Sequence, residues 1–205
     1  LSVEECRECR IISEISRTDK TKRKDVLLKA FAKVHEKHPE TMLVVAIDET
    51  EPELCKELHD IMKENGIESH VAAIGNEWDR LPFLYAATDI YCSPSAMEGF
   101  GMAVQEAAAT KVPVVGSTRI PFVQEYLQGS DIEQVECEDS ENPLQVGEGS
   151  IVVEVDDVAG FAAAMDMYLS DETLRRKSGQ VAYHITIPFF TWEDMARRFM
   201  TDIGV

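Results

Sequence analysis

The chain reads as an α/β domain built on a Rossmann-like, doubly wound parallel sheet of about six strands. Two observations predict it. Short apolar runs bounded by turn residues alternate with segments of helical periodicity, and glycine or proline marks many of the junctions. With 44% hydrophobic and 28% charged residues, a chain of 205 residues also has enough apolar material for one well-buried core.

Ile11 to Ser16 is the first strand, weakened by Ser13 and Glu14. From Lys22 to Lys37 the residues Val26, Leu27, Ala30, Phe31 and Val34 share one face, the pattern of an amphipathic helix. Met42 to Ile47 is a short buried strand. Pro52 to Asn65 is a helix with proline at its first position and Gly66 just past its end. Ser69 to Ile74 is the third strand, closed by Gly75, and Trp78 to Ala87 a short helix. Asp89 to Ser93 is a strand that stops at Pro94. The loop Glu98-Gly-Phe-Gly-Met102 opens a helix reaching about Thr110, and Val112 to Gly116 is the next strand. Ile120 to Leu127 is a helix that carries Pro121 at its start.

Between residues 129 and 149 the sequence turns acidic and loses periodicity, which predicts an inserted loop with a short extended piece around Ile132 to Val135. Ile151 to Val155 is the last strand. The remainder, 156–205, is helical: Val158 to Leu169, Asp171 to Tyr183 and Trp192 to Ile203, with Asp171 and Thr191 as N-caps. Residues 1–205 are expected to form a single domain. Because the chain opens on Leu1 and runs almost directly into a strand, it is read as part of a longer protein.

Acidic residues outnumber basic ones 38 to 20, for a net charge of −18. Such a field repels nucleic acid and anionic membranes, so neither is an expected partner. No apolar stretch approaches the roughly 20 residues of a membrane span, and no basic-then-apolar leader is present, which fits a cytoplasmic protein. Of the five cysteines, only Cys6 and Cys9 have metal-like spacing, and no second pair completes a site. His35 and His38 are too close for the H-E-x-x-H zinc pattern, so no metal is expected. His59, His70 and His184 have no partner visible in sequence.

Against this acidic background Arg17, Lys20, Lys22, Arg23 and Lys24 crowd into one short stretch. A charge run alone reads as a solvated loop, but this one follows a strand. Ligands of open parallel sheets bind outside the carboxyl ends of the strands, where Arg17 and the Glu98 to Met102 loop both fall. Gly99 and Gly101 remove Cβ atoms where backbone approaches a ligand, and a helix N-terminus favours an anion. Together these features describe a diphosphate site.

Glu98 and Glu106, eight residues apart, are separated by about 12 Å along a helix axis. That is comparable to the distance from hexose to ribose in a nucleotide-sugar, although two unrelated acids would give the same spacing. Ala103, Val104, Ala107, Ala108 and Ala109 surround Glu106, and an acid embedded among them needs a partner, which a ribose would supply. Met97 and Met102 read as packing residues.

Ser93-Pro-Ser-Ala-Met-Glu-Gly-Phe-Gly-Met-Ala-Val-Gln-Glu106, followed by Lys111-Val-Pro-Val-Val-Gly116, resembles the E-x7-E signature of retaining glycosyltransferases of the two-domain GT-B type, most closely glycosyltransferase family 4. Ile15-Ser-Arg-Thr-Asp-Lys-Thr-Lys22 resembles that family's Arg and Lys pair. Leu84-Tyr-Ala-Ala-Thr-Asp89 and Thr191-Trp-Glu-Asp-Met-Ala-Arg197 are similar to further family segments.

The resemblance implies the C-terminal, donor-binding half of a hexosyltransferase, whose acceptor-binding N-terminal domain is absent, so that these residues alone would be inactive. By similarity, Arg17 and Lys22 would hold the donor diphosphate and act in catalysis with Glu98. Glu98 and the backbone of Gly99, Phe100, Gly101 and Met102 would hold the sugar, and Glu106 the ribose. The base would lie near Gly75 and Leu81. The donor is expected to be a UDP- or GDP-sugar, with no further cofactor. Ile120-Pro-Phe-Val-Gln-Glu-Tyr-Leu and Thr186 to Trp192 resemble the branch of sucrose-phosphate and mannosylfructose-phosphate synthases, which implies a sugar phosphate as acceptor.

Two alternatives stand beside this reading. Gly99-x-Gly101 could open an NAD-dependent oxidoreductase site, but Val104 occupies the third small position and no acid ends a strand about 20 residues on. A non-catalytic nucleotide-sugar-binding module is the other, and the presence of Arg17, Lys22, Glu98 and Glu106 argues against it.

Overall fold

The computed structural model describes residues 9–75 and 78–204. An eight-stranded sheet runs in the order β3-β2-β1-β4-β5-β8-β7-β6. The strands are β1 Arg10–Glu14, β2 Thr41–Ala46, β3 Val71–Ile74, β4 Ile90–Ser93, β5 Val114–Ser117, β6 Glu133–Val135, β7 Leu144–Val146 and β8 Ser150–Val153. The six from β3 to β8 in that order are parallel. β7 and β6 extend the sheet antiparallel, so it has eight strands where about six were expected. The added pair arises from the acidic insert. β6 falls on the extended piece expected around Ile132 to Val135, whereas β7, three residues long and carrying Gln145, is too short to show a strand period.

Among the described residues seven α-helices accompany the sheet: α1 Lys24–Lys37, α2 Pro52–Glu64, α3 Leu81–Ala87, α4 Met102–Ala108, α5 Val158–Ser170, α6 Glu172–Thr186 and α7 Trp192–Asp202. β4, β5 and β8 are buried along their whole lengths, as parallel strands covered on both faces must be. One core lies between the sheet and α1, α2 and α5, filled by Leu27, Phe31, Leu58, Phe161, Met165 and Tyr168. The other holds Tyr91, Val104, Val114, Ile120, Phe122 and Ala182 beneath α4 and α6.

Several elements differ from expectation at their ends. A short 3-10 turn, Lys20–Lys22, precedes α1, and another, Trp78–Arg80, replaces the start of the helix expected from Trp78. The helix expected from Ile120 is a π-helical turn, Val123–Leu127. Asp171 and Thr191 cap α6 and α7 as expected, accepting from the amides of Leu174 and Asp194.

From β1 the chain winds outward through β2 to β3, then returns to the opposite side of β1 as β4. The strand order therefore reverses between β1 and β4. In an open parallel sheet this leaves a crevice at their carboxyl ends.

Candidate functional site

The turn after β1 lines one side of that crevice. Asp19 caps its 3-10 turn by accepting from the Thr21 amide at 2.9 Å. Burial works to raise the Asp19 carboxyl, but hydrogen bonds from Thr21 and the charges of Lys22 and Arg17 together hold it below its ordinary value. The Thr18 hydroxyl accepts from the Asp48 amide at 2.9 Å, tying the turn to the end of β2.

The five cations of this stretch do not form one open patch. The Arg17 side chain is 81% exposed, with its guanidinium 3.8 Å from Asp19. Lys22 is buried and its ammonium meets Glu98 Oε1 at 2.6 Å. Arg23 is taken up by Asp25 and Asp156, and Lys24 is buried in an ion pair with Glu14. Arg17 and Lys20 stay exposed at the turn, and Lys22 is shared with the loop after β4 through Glu98.

The loop after β4 lines the other side. Its Ala96 amide donates to the Thr21 carbonyl at 2.7 Å, and the Ser95 hydroxyl donates to Glu98 Oε1 at 3.0 Å. The cationic turn and the glycine-bearing loop are thus hydrogen-bonded to one another. Phe100 turns its ring into a cluster with Phe122, Tyr126 and Phe190, while its carbonyl accepts from the Phe122 amide at 2.9 Å.

The two glycines serve different ends. Gly101 has φ +105°, and a Cβ there would lie 2.6 Å from Ile120 Cγ2; an added Cβ at Gly99 meets nothing within 4 Å. Gly101 is required by the fold, whereas Gly99 leaves space open in front of the loop. Met97 and Met102, expected to pack, are exposed.

Glu106 is exposed on α4 rather than embedded, because its apolar neighbours Val104, Ala107 and Ala108 face the core on the other side of the helix. One of its oxygens accepts from the buried Tyr85 hydroxyl at 2.9 Å. Burial first, and then the Glu106 carboxylate, push the Tyr85 phenol far above its ordinary value, so it stays a donor at all working pH. Tyr85 and Ser95 were not singled out in the sequence, although both lie within the family-like segments. Gly75 follows β3, the edge strand, and Leu81 begins α3 and packs against the cluster that holds Ile15, Tyr85 and Tyr91. Among the described residues, no three His, Cys, Asp or Glu gather as metal ligands, and no helix is long and apolar enough to cross a membrane.

A cationic turn and a glycine-bearing loop joined at the switch point of a parallel sheet define a Rossmann-like α/β domain. Within that class the chain belongs to the family of glycosyl transferases group 1, whose model matches residues 7–185. This membership displaces the oxidoreductase alternative. The chain is 29% identical over 192 residues to N-acetyl-alpha-D-glucosaminyl L-malate synthase of Bacillus anthracis, covering 94% of this chain and 44% of that protein. It is 32% identical over 114 residues to mannosylfructose-phosphate synthase of Agrobacterium fabrum, covering 53% of this chain and 25% of that protein. HepE of Anabaena, solved with UDP and glucose, shares the fold with a TM-score of 0.79 at 19% identity, over 100% of this chain and 53% of that one. The chain spans less than half the length of these two curated relatives.

Proposed function

We propose that this chain binds the nucleoside diphosphate of a nucleotide-sugar between Arg17, Lys22 and the Gly99–Met102 backbone, and that it acts as the donor half of a retaining hexosyltransferase. The observation that carries the reading is the Lys22–Glu98 contact, which brings a phosphate-binding cation and a sugar-binding carboxylate to one point of the crevice. Glu98 presents its second oxygen to sugar hydroxyls, and Glu106, steadied by Tyr85, accepts from the ribose.

Breaking the bond from the anomeric carbon to phosphate gives the sugar oxocarbenium character and leaves negative charge on the departing diphosphate. Fixed cations facing that charge lower the barrier. Arg17 and Lys22 fill this role, and the Glu98 carboxylate, close to Lys22, keeps the resting site from carrying uncompensated positive charge.

The acceptor is met by an N-terminal domain outside these residues, a reading supported by the share of its relatives that the chain covers. The similarity to mannosylfructose-phosphate synthase favours a sugar phosphate as acceptor. UDP is favoured as the donor nucleotide by the fold shared with HepE, with GDP next.

Calorimetric titration with UDP-, GDP- and ADP-sugars tests the reading, with NAD as control. Binding of one nucleotide-sugar and not NAD is expected. Binding of NAD alone, or of none of them, would remove it.

A further inference from the structure

Lys24 is the first residue of α1, where the positive end of the helix dipole disfavours a cation. Its side chain is nonetheless only 1% exposed, and its ammonium lies 3.2 Å from the fully buried carboxylate of Glu14, at the carboxyl end of β1. Neither Glu14 oxygen accepts a hydrogen bond, so Lys24 is the charge that compensates it. The same ammonium donates to the Ser16 carbonyl at 2.9 Å and to that of Ala46, at the ends of β1 and β2.

A buried ion pair is a poor device for stability, because desolvating both charges costs as much as their attraction returns, and apolar residues of similar volume commonly do as well or better. Its position supplies another role. Arg17 directly follows Ser16, and Lys22 stands two residues before Lys24. One ammonium group therefore ties together the two ends of the short loop that carries Arg17 and Lys22. Between them, Arg23 holds a left-handed conformation with φ +51°, which turns the chain sharply into α1.

We propose that Glu14 and Lys24 are positioning residues, whose buried ion pair fixes the 16–24 loop so that Arg17 and Lys22 converge on one diphosphate. This rests on the donor-binding reading above. Glu14 holds the ammonium in place, the carbonyl bonds of Lys24 set the ends of the loop, and neither side chain touches the donor.

The test compares wild type with the double variant Glu14→Leu/Lys24→Met. It measures thermal unfolding and calorimetric affinity for UDP and UMP, GDP and GMP, and ADP and AMP. A merely structural pair would change stability, or weaken mono- and diphosphate alike. The proposal expects unfolding at or above the wild-type temperature, while the preference for the diphosphate over its monophosphate falls by about tenfold, the share of one charge-assisted hydrogen bond. A preference kept within about twofold, or equal loss of both nucleotides, overturns it. Should the double variant not fold, the isosteric Glu14→Gln is read by the same ratio, a fall of about threefold or more supporting the proposal and an unchanged ratio overturning it. If wild type prefers no diphosphate over its monophosphate, the donor-binding reading itself fails, and the positioning role with it.

Discussion

The Lys22 ammonium lies 2.6 Å from Glu98 Oε1, joining two residues 76 positions apart at the carboxyl ends of β1 and β4. Both side chains are largely buried, at 9% and 17% exposure, so solvent screens the pair less than a surface bridge. On the proposed reading a bound diphosphate shares Lys22 with Glu98, and this makes the two residues opposite in sign toward the nucleotide.

Lys22→Ala is therefore expected to weaken nucleoside diphosphate binding about 10- to 100-fold, the loss of charge-assisted hydrogen bonds. Glu98→Gln, which frees the ammonium, is expected to bind the same diphosphate at least as tightly as wild type while losing turnover. Calorimetry on both variants checks the contrast, and equal loss in the two would contradict it.

Arg17→Ala removes an exposed side chain whose guanidinium lies 3.8 Å from Asp19. Unfolding is expected to shift by no more than about 0.5 kcal/mol, the usual scale for a surface substitution. Turnover of the complete enzyme should fall by about 100-fold or more, the scale of removing a donor that stabilises developing charge. Normal turnover would remove Arg17 from the mechanism.

Gly101→Ala and Gly99→Ala are expected to diverge. At Gly101 a Cβ meets both a positive φ and Ile120, whereas at Gly99 it meets open space. The first should destabilise by about 1–3 kcal/mol, and the second should leave denaturant unfolding within about 0.5 kcal/mol. Similar unfolding curves would mean that the loop adapts around Gly101.

His35 lies against His70 with ring centroids 4.0 Å apart and the rings tilted by 39°, and its Nδ1 lies 3.2 Å from the Thr41 hydroxyl. Burial, and then the charge of His70, push the His35 imidazole below its ordinary 6.5, outweighing the opposite pull of Thr41 and Glu40. A depressed imidazole binds its proton less readily in the folded state than in the unfolded one. Its stabilising share is thus present above about 6.5 and lost as pH falls through the folded value. Between pH 7.5 and 5.5 the wild type should lose more thermal stability than His35→Gln. Parallel loss in both would place the sensitivity elsewhere.

The parallel sheet was legible because β2, β3, β4, β5 and β8 are apolar runs, β3 and β4 closed by Gly75 and Pro94, and the helices because their apolar positions recur at helical spacing. In the acidic insert β6 was legible as the extended piece around Ile132 to Val135, but β7 was hidden, since Leu144 to Val146 gains its extended form from pairing with β6 and β8. At the site, residue types and spacing marked Arg17, Lys22, Glu98 and Glu106, but not their partners. Ion pairs such as Lys22–Glu98 and hydrogen bonds such as Tyr85–Glu106 join distant parts of the chain, and no local pattern encodes them. Local context also misled in two places. Lys24 looked like one more surface cation and is buried, while Glu106 looked embedded because a list of neighbours does not say which way a helix is turned.

A crystal structure of the protein with its bound nucleoside diphosphate tests the donor site most directly. The β-phosphate should lie between the Arg17 guanidinium, the Lys22 ammonium and the amides that open α4, with the ribose hydroxyls on Glu106. A nucleotide seated at the opposite, amino-terminal edge of the sheet, or one whose phosphates touch neither cation, would contradict the account.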